Sequence, residues 1–551
     1  MELKELLKNG EYTLSELSKE LDIEKDKIKK LIKKLNNVEK KEINNNTYYY
    51  IAKKIAKKKD YTLFFIALIF ALSMLLRIIN LEKPYVTWDE HANMYSGIQQ
   101  VTALLNIDYD SDVWTDSNIV YYDHPPLGKY FYGWISIICE NITQNNSYLN
   151  LIYWSRIMSA ILGSITCIIV FLIGKKIHST RVGIISALLL SFSPTFLAYT
   201  KVSTLESSYL LFFTLAIYGY LRMNKKNIIL IGILCGLAIS TRMNGIFIIP
   251  ILSIMLSLNS NKKHLISFKE KQVNIGFLLD FFKYCFILLI IALLTLIIIW
   301  PYLWHDLFSN LMKTLGNTNR RSGFSFMWLM ELMINFLTKT PLLIIILAIY
   351  SVTKKREKIL LLWLLLPFVS FLNTNVFRYI LVTIIPLSLM AGIGASYLSK
   401  KIYIPLIIYL LLNIIFIHPF YLSYYNELTG FSVGAYTVNY LKVGIWGEGV
   451  GEAVEYVNKI AEQNSSVQLF LMPNPSYYPL RSDLKLVYPS INLSGDYVLM
   501  NVLCYSGEMA YDWSNNITPN ITDSEIEESG YSLIYEIKAM GAPLAKIYKK
   551  D

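Results

Sequence analysis

From Tyr61 onward the chain is a succession of apolar runs separated by short polar connections, many near the length that crosses a bilayer. The pattern predicts about eleven spans, at roughly 61–79, 153–174, 182–200, 207–222, 227–241, 243–258, 284–302, 338–353, 359–373, 379–398 and 402–420. Two of these, within 227–258, are short and meet at Thr241-Arg-Met-Asn-Gly245, which reads as a hairpin turn. The first 60 residues are a different material: polar, Lys-rich and helix-forming. Thr13 and Glu16 make a capping box, and Lys25–Asn36 carries one apolar stripe of Ile28, Leu31, Ile32 and Leu35. Val38–Ile43 and Thr47–Ile51, joined by Asn-rich sequence, predict a hairpin. At the other end, Glu452–Ala461 is helix-periodic, and 467–472, 496–501 and 545–548 are strand-like. Three regions follow: a winged-helix-like N-terminal domain over 1–52, a membrane domain over 60–425 with a large first external loop at 80–152, and an α/β domain over 445–551. The fold class is a polytopic α-helical membrane protein with a small domain at each end.

Composition agrees with the pattern. Only 17% of residues are charged and 54% are hydrophobic, with a mean hydropathy of +0.39. That excludes a single soluble domain and a disordered chain. No short apolar leader precedes Tyr61, so no cleavable signal is expected. The net charge of +11 is unevenly placed. Lys53, Lys54 and Lys57–Lys59 precede the first span, and basic clusters recur at 175–181, 222–226, 262–263, 354–356 and 400–401. The first external loop has nine acids against Lys83 and Lys129, and the tail from 421 has 15 acids against 8 bases. Positive flanks stay inside. The expectation is a multi-pass cell-membrane protein with a cytoplasmic N-terminus and an extracytoplasmic C-terminus. Cys139 and Cys504 lie in polar segments, where pairing is open. Sequons at Asn141, Asn145, Asn464, Asn492, Asn516 and Asn520 lie on the expected outer side, and Asn45 on the inner side.

Ionisable groups beside a membrane face mark where chemistry should be sought. Trp88-Asp-Glu-His91 follows the first span closely, and the same loop holds Tyr121-Tyr-Asp-His-Pro-Pro-Leu-Gly-Lys129. Asp89 and Glu90 offer a general base or a cation site; a solvated acidic loop is the plain alternative. The Asp123-His-Pro-Pro126 stretch is stiff, because proline restrains itself and its predecessor.

These two motifs, in this order, resemble glycosyltransferase family 39, which contains protein O-mannosyltransferases and aminoarabinose transferases. Ser155-Arg-Ile-Met-Ser-Ala160, Ser193-Pro194, Thr204-Leu-Glu206, Leu211-Phe-Phe-Thr214, Gly232–Ala238 with Thr241–Gly245, Trp300–Trp304, Phe377-Arg-Tyr379 and Tyr421–Leu428 continue the resemblance over about residues 60–450. It implies a GT-C fold, with a polyprenyl-phosphate-linked sugar as donor at the outer face, mannose being the commonest sugar. The acceptor, whether protein, glycan or lipid, stays open. It implies that Asp89 is the base, with Glu90 beside it. Arg suits a leaving lipid phosphate because its planar fork binds phosphate bidentately. Arg156 and Arg378, then Arg242 and Lys129, are the donor phosphate candidates; snorkelling to the interface is the alternative for each Arg. His124 and Glu206 are site-shaping candidates, Glu206 standing where many relatives have Asp. The winged-helix-like start lies outside the family pattern.

No His/Cys cluster has metal-ligand spacing, and a divalent cation at Asp89/Glu90 stays open, without being predicted as a requirement. Two other classes stay in view. A transporter or lipid flippase would favour mid-membrane charges, whereas these cluster at span ends. A membrane-tethered transcription regulator would use residues 1–52 on nucleic acid; the reading preferred for a module beside a bilayer is a cytoplasmic interaction domain whose lysines are solvated or face anionic lipid.

Overall fold

The computed structural model describes residues 3–551 except 4–5, 8–11, 36–37, 44–45, 52–60, 111, 116–123, 224–226, 262–265, 268–271, 274, 319–325, 355, 373–375, 439–440, 442, 445, 471–477, 488–491 and 503–521. Asp123, Cys504, Asn45, Asn516 and Asn520 therefore lie outside the described residues. The chain divides into two compact units, Met1–Phe64 and Phe65–Asp551.

In the first unit, helices α1 (Leu14–Leu21) and α2 (Lys25–Lys34) pack with a three-stranded sheet of β1 (Tyr12–Thr13), β3 (Asn46–Ile51) and β2 (Val38–Ile43). The Thr13–Glu16 capping box forms, with Thr13 N–H donating to Glu16 Oε2 at 2.7 Å. Leu17, Ile28, Ile32 and Tyr49 make the core, while Lys25, Lys27, Lys29, Lys30 and Lys33 are exposed.

In the second unit every stretch expected to span is helical over most of its length. By length and composition, four helices among the described residues can cross a membrane, or six if two bent pairs each count as one. Four further apolar helices are shorter, including α3 (Thr62–Ile78). These long helices and bent pairs are fewer than the eleven spans expected from the apolar runs, and the shorter apolar helices fall on further expected spans. Apolar pattern alone does not register where helices break. Pro194 opens a new helix, bending Thr180–Ser191 and Pro194–Lys201 by 66°, and Pro341 separates a pair bent by 106°.

The connection at 80–152 also differs from a plain loop. It contains α4 (Trp88–Leu105) and α5 (Leu127–Thr143), followed directly by α6 (Tyr148–Ile177). Glycines let α4 and α5 touch: a Cβ at Gly133 would stand 2.1 Å from the Gly97 carbonyl oxygen. Farther on, α7 (Thr180–Ser191), α8 (Pro194–Lys201), α9 (Glu206–Met223), α10 (Ile228–Thr241), α11 (Ile248–Asn261) and α12 (Ile275–Ile299) form the central packing. The expected turn at Thr241–Gly245 is present: α10 ends at Thr241, Arg242 is extended, and a 3-10 turn covers Met243–Phe247.

The C-terminal region carries a five-stranded mixed sheet. Strand order is Lys485–Val487, Ser466–Phe470, Tyr497–Asn501, Ala542–Lys550, Tyr531–Ala539; the first three are parallel and the rest antiparallel. Helix Val450–Ile460 packs on it through Val450, Ala453, Val454 and Val457. The sheet forms one compact unit with the helices rather than a unit of its own. Tyr531–Ala539, which the sequence pattern did not mark, lacks strict alternation and sits at the sheet edge.

Candidate functional site

The site is organised by the start of α4. Thr87 is its N-cap, and a capping box joins it to Glu90: Thr87 N–H and Oγ1–H donate to Glu90 Oε2 at 2.8 and 3.0 Å. Glu90 is fully buried. Arg156, from α6, donates to it through Nε at 2.7 Å and Nη2 at 2.6 Å, and the Ser203 N–H adds a bond of 3.0 Å. Burial opposes ionisation of this carboxyl, but the Arg156 guanidinium and the other donors outweigh it and hold Glu90 below the usual carboxylate range.

Arg156 is equally committed. It is fully buried, its Nη1 donates to the Leu81 and Pro84 carbonyls at 2.7 and 2.8 Å, and its Nη2 also meets Tyr85 O at 3.2 Å. With Glu90, these partners occupy all five N–H groups of a guanidinium. Arg156, expected as a donor phosphate ligand, has every N–H engaged inside the protein in this structure. Glu90 is similarly enclosed, with both of its oxygens taken by donors.

Asp89, one residue earlier, points elsewhere. Its side chain is 27% exposed and accepts from Arg378 Nη1 at 2.5 Å. Arg378 lies over the rings of Trp446 at 4.9 Å and Tyr379 at 5.9 Å. Arg242, in the α10 turn, lies over the other part of this group, 4.8 Å from the Tyr379 ring, and is ion-paired to Glu206 at the start of α9. Tyr199 meets Trp446 edge-on at 6.2 Å. The aromatic rings hold two cations side by side, and the carboxylates of Asp89 and Glu206 offset their repulsion.

Neither arginine is fully satisfied. Arg378 Nε and Arg242 Nη2 are buried atoms with no hydrogen-bond partner. A buried unpaired donor costs roughly 1–3 kcal/mol, more for a charged group, so such groups call for explanation. Two on neighbouring guanidinium groups beside an accessible carboxylate form an arrangement prepared for an anion.

Two other sequence candidates lie in and before α5. Lys129 is buried on α5. His124 is partly buried and stands before Pro125 and Pro126, the latter capping α5. Among the described residues no group of three or more His, Cys, Asp or Glu is arranged to hold a metal ion.

Sequence reasoning missed several groups. Trp446 and Glu448 lie in a loop where Gly444, Gly447 and Gly449 all have positive φ. Glu448 is buried, accepts from the Leu422 N–H at 3.2 Å and from the Ser423 hydroxyl, and is pushed up to about 7 by burial. Lys339 donates to the Leu422 carbonyl at 3.1 Å and stands 3.9 Å over the Tyr425 ring. Lys201 donates to Ile79 O at 2.6 Å. The signal for the loop was three glycines within six residues around an aromatic and an acid.

The fold and this acid–arginine centre define a multi-pass helical membrane protein with buried guanidinium donors beside a partly exposed carboxylate. Residues 116–299 match the family described as dolichyl-phosphate-mannose-protein mannosyltransferase. The resemblance to glycosyltransferase family 39 read from the motifs thus stands on an independent match. Among solved structures the chain is similar to ArnT from Cupriavidus metallidurans bound to undecaprenyl phosphate, at 12% identity, covering 89% of this chain and 97% of that one, with a TM-score of 0.45. It is also similar to the protein O-mannosyltransferase Pmt1-Pmt2 complex of S. cerevisiae bound to the sugar donor, at 17% identity over 50% of this chain, with a TM-score of 0.34. The oligosaccharyltransferase of Archaeoglobus fulgidus gives 14% identity over 64% of this chain, with a TM-score of 0.40. The chain spans 38% of the yeast chain and 52% of the archaeal one. No curated protein matches it in sequence.

Proposed function

We propose that the protein is a membrane glycosyltransferase that moves a sugar from a polyprenyl-phosphate donor to an acceptor hydroxyl at the outer membrane face. One observation carries this reading: Asp89 is paired with Arg378 at 2.5 Å, beside two buried guanidinium N–H groups that have no partner. Asp89 is the base. It takes the acceptor's proton as the oxygen attacks the anomeric carbon. The bond from that carbon to the phosphate oxygen breaks, and the electron pair leaves with the lipid phosphate. Arg378 and Arg242 receive the growing negative charge through their unused donors, which is worth most in a site with little water. Glu206 holds Arg242, and Glu90 with Arg156 holds the backbone that carries Asp89. Lys129 and His124 border the donor side. The match of residues 116–299 to the dolichyl-phosphate-mannose-protein mannosyltransferase family supports a lipid-linked donor. Mannose is the sugar of first choice, and a protein hydroxyl the first acceptor to try.

The first unit is proposed to be a cytoplasmic winged-helix-like module. Its exposed lysines suit an anionic surface, either nucleic acid or lipid. Asp89→Asn is the direct test of the transfer reading. It keeps size and removes the base, so transfer from mannosyl-phospho-polyprenol should be lost while the protein still folds.

A further inference from the structure

A cavity lies away from Asp89. It is a groove of about 360 Å³ between α7 and the helix Tyr403–Ile417. Ile185, Leu188 and Phe192 form one wall, and Tyr403, Leu406 and Leu410 the other. Apolar grooves on a membrane protein are filled by lipid chains, so the walls alone say little. The mouth is what distinguishes this one. Arg181 lines it, lies 4.9 Å over the Tyr403 ring, and has a buried Nη2 with no hydrogen-bond partner. The turn before Arg181 and the turn before Tyr403 add exposed Lys176, His178, Lys400 and Lys401 at the same end, where His178 meets Tyr397 edge-on at 5.9 Å. Charge and shape therefore agree: an apolar trough ends at a ring-held guanidinium with a spare donor, inside a basic rim.

We infer that this groove is a binding site for one anionic phospholipid, whose acyl chain lies in the trough and whose phosphate takes the unused N–H of Arg181. Arginine is suited to the headgroup because its fork matches phosphate oxygens, and basic pockets between membrane helices bind such headgroups. The site is separate from the Asp89 centre. The bent pair α7–α8 runs from Arg181 to Lys201, and Ser203 just beyond it donates to Glu90, so the groove mouth and the acid lie at opposite ends of that pair. The lipid is structural, and the inference holds whatever the protein transfers.

Native mass spectrometry of the full-length protein, purified in detergent and supplied with phosphatidylglycerol or with phosphatidylcholine of the same acyl chains, tests it. One phosphatidylglycerol should be retained per chain, and phosphatidylcholine should not. Arg181→Gln should reduce the retained fraction at least tenfold. Ile185→Trp, which fills the trough and leaves Arg181 in place, should do the same; unchanged melting of either variant shows that the fold is intact. Equal retention of both lipids, or retention unaffected by both substitutions, would overturn the assignment. Displacement of the phosphatidylglycerol by polyprenyl phosphate, one for one, would also overturn it, because the groove would then belong to the donor path.

Discussion

Two adjacent acids behave as two different residues. Asp89 is partly exposed and shares its charge with a cation that has a donor to spare, whereas Glu90 is fully enclosed and has every oxygen engaged. Their order in the sequence was visible, but their division of labour was not, because it depends on which helix face meets α6. The same applies to the arginines. Arg156 looked like the best phosphate ligand from its place in the motif, yet it is the one with no free N–H. Removing one partner of a buried pair leaves an uncompensated charge and costs about 3–5 kcal/mol. Glu90→Gln should therefore lower thermal stability in detergent sharply, more than Asp89→Asn does. Arg378→Lys keeps the charge but loses the fork and ring contact; it should weaken donor binding roughly tenfold, about 1.4 kcal/mol, seen as a raised KM for the lipid donor. Glu448 adds a pH dependence. Its carboxyl titrates near 7 in the folded protein, above its ordinary value of 4.5. The folded state then binds the extra proton between these values, so stability should fall as pH rises from about 4.5 to about 7 and level off above. Lys339 is the facing cation. Glu448→Gln should flatten that slope in a melting series across pH.

At the scale of elements, local chemistry explains why the site is where it is. The Thr87–Glu90 box is a sequence-level start signal for α4, and it sets Asp89 in the first turn, where the helix dipole favours a negative charge. That signal was legible and the helix still went unread, because the loop's acids and its apolar scarcity suggested solvent. Thr87→Ala should cost about 1 kcal/mol of stability and shift Asp89, lowering kcat before KM. The α4–α5 contact has no such signature. It depends on Gly97 and Gly133 approaching closely, and a single sequence does not say which glycines meet. Gly133→Ala would place its Cβ 2.1 Å from the Gly97 carbonyl oxygen and should destabilise the protein by about 1–3 kcal/mol, read from its melting temperature. The helices themselves were readable from apolar runs; their breaks, at Pro194 and Pro341, decide how many cross the membrane.

For the molecule as a whole, the chain divides into two compact units, and the C-terminal sheet belongs to the same unit as the Asp89 centre. Lys83 donates to Glu455 at 2.6 Å, and the Tyr478 hydroxyl donates to Val86 O at 3.0 Å, so helix Val450–Ile460 and its sheet grip the segment that leads into Asp89. Charge patterning made the difference between the ends legible, with a basic start and an acidic tail, but these long-range bonds link residues about 370 or more positions apart and leave no local trace. Deleting residues 1–52 should therefore leave in vitro transfer unchanged, whereas deleting 445–551 should abolish it and expose the α4 start to protease. The central claim is that Asp89 is the base of sugar transfer. Transfer of mannose from mannosyl-phospho-polyprenol by purified Asp89→Asn, compared with wild type at equal fold content, measures it most directly. The account predicts loss of at least a hundredfold in rate, within the range general-base catalysis supplies, with donor binding retained. Transfer at the wild-type rate would contradict it.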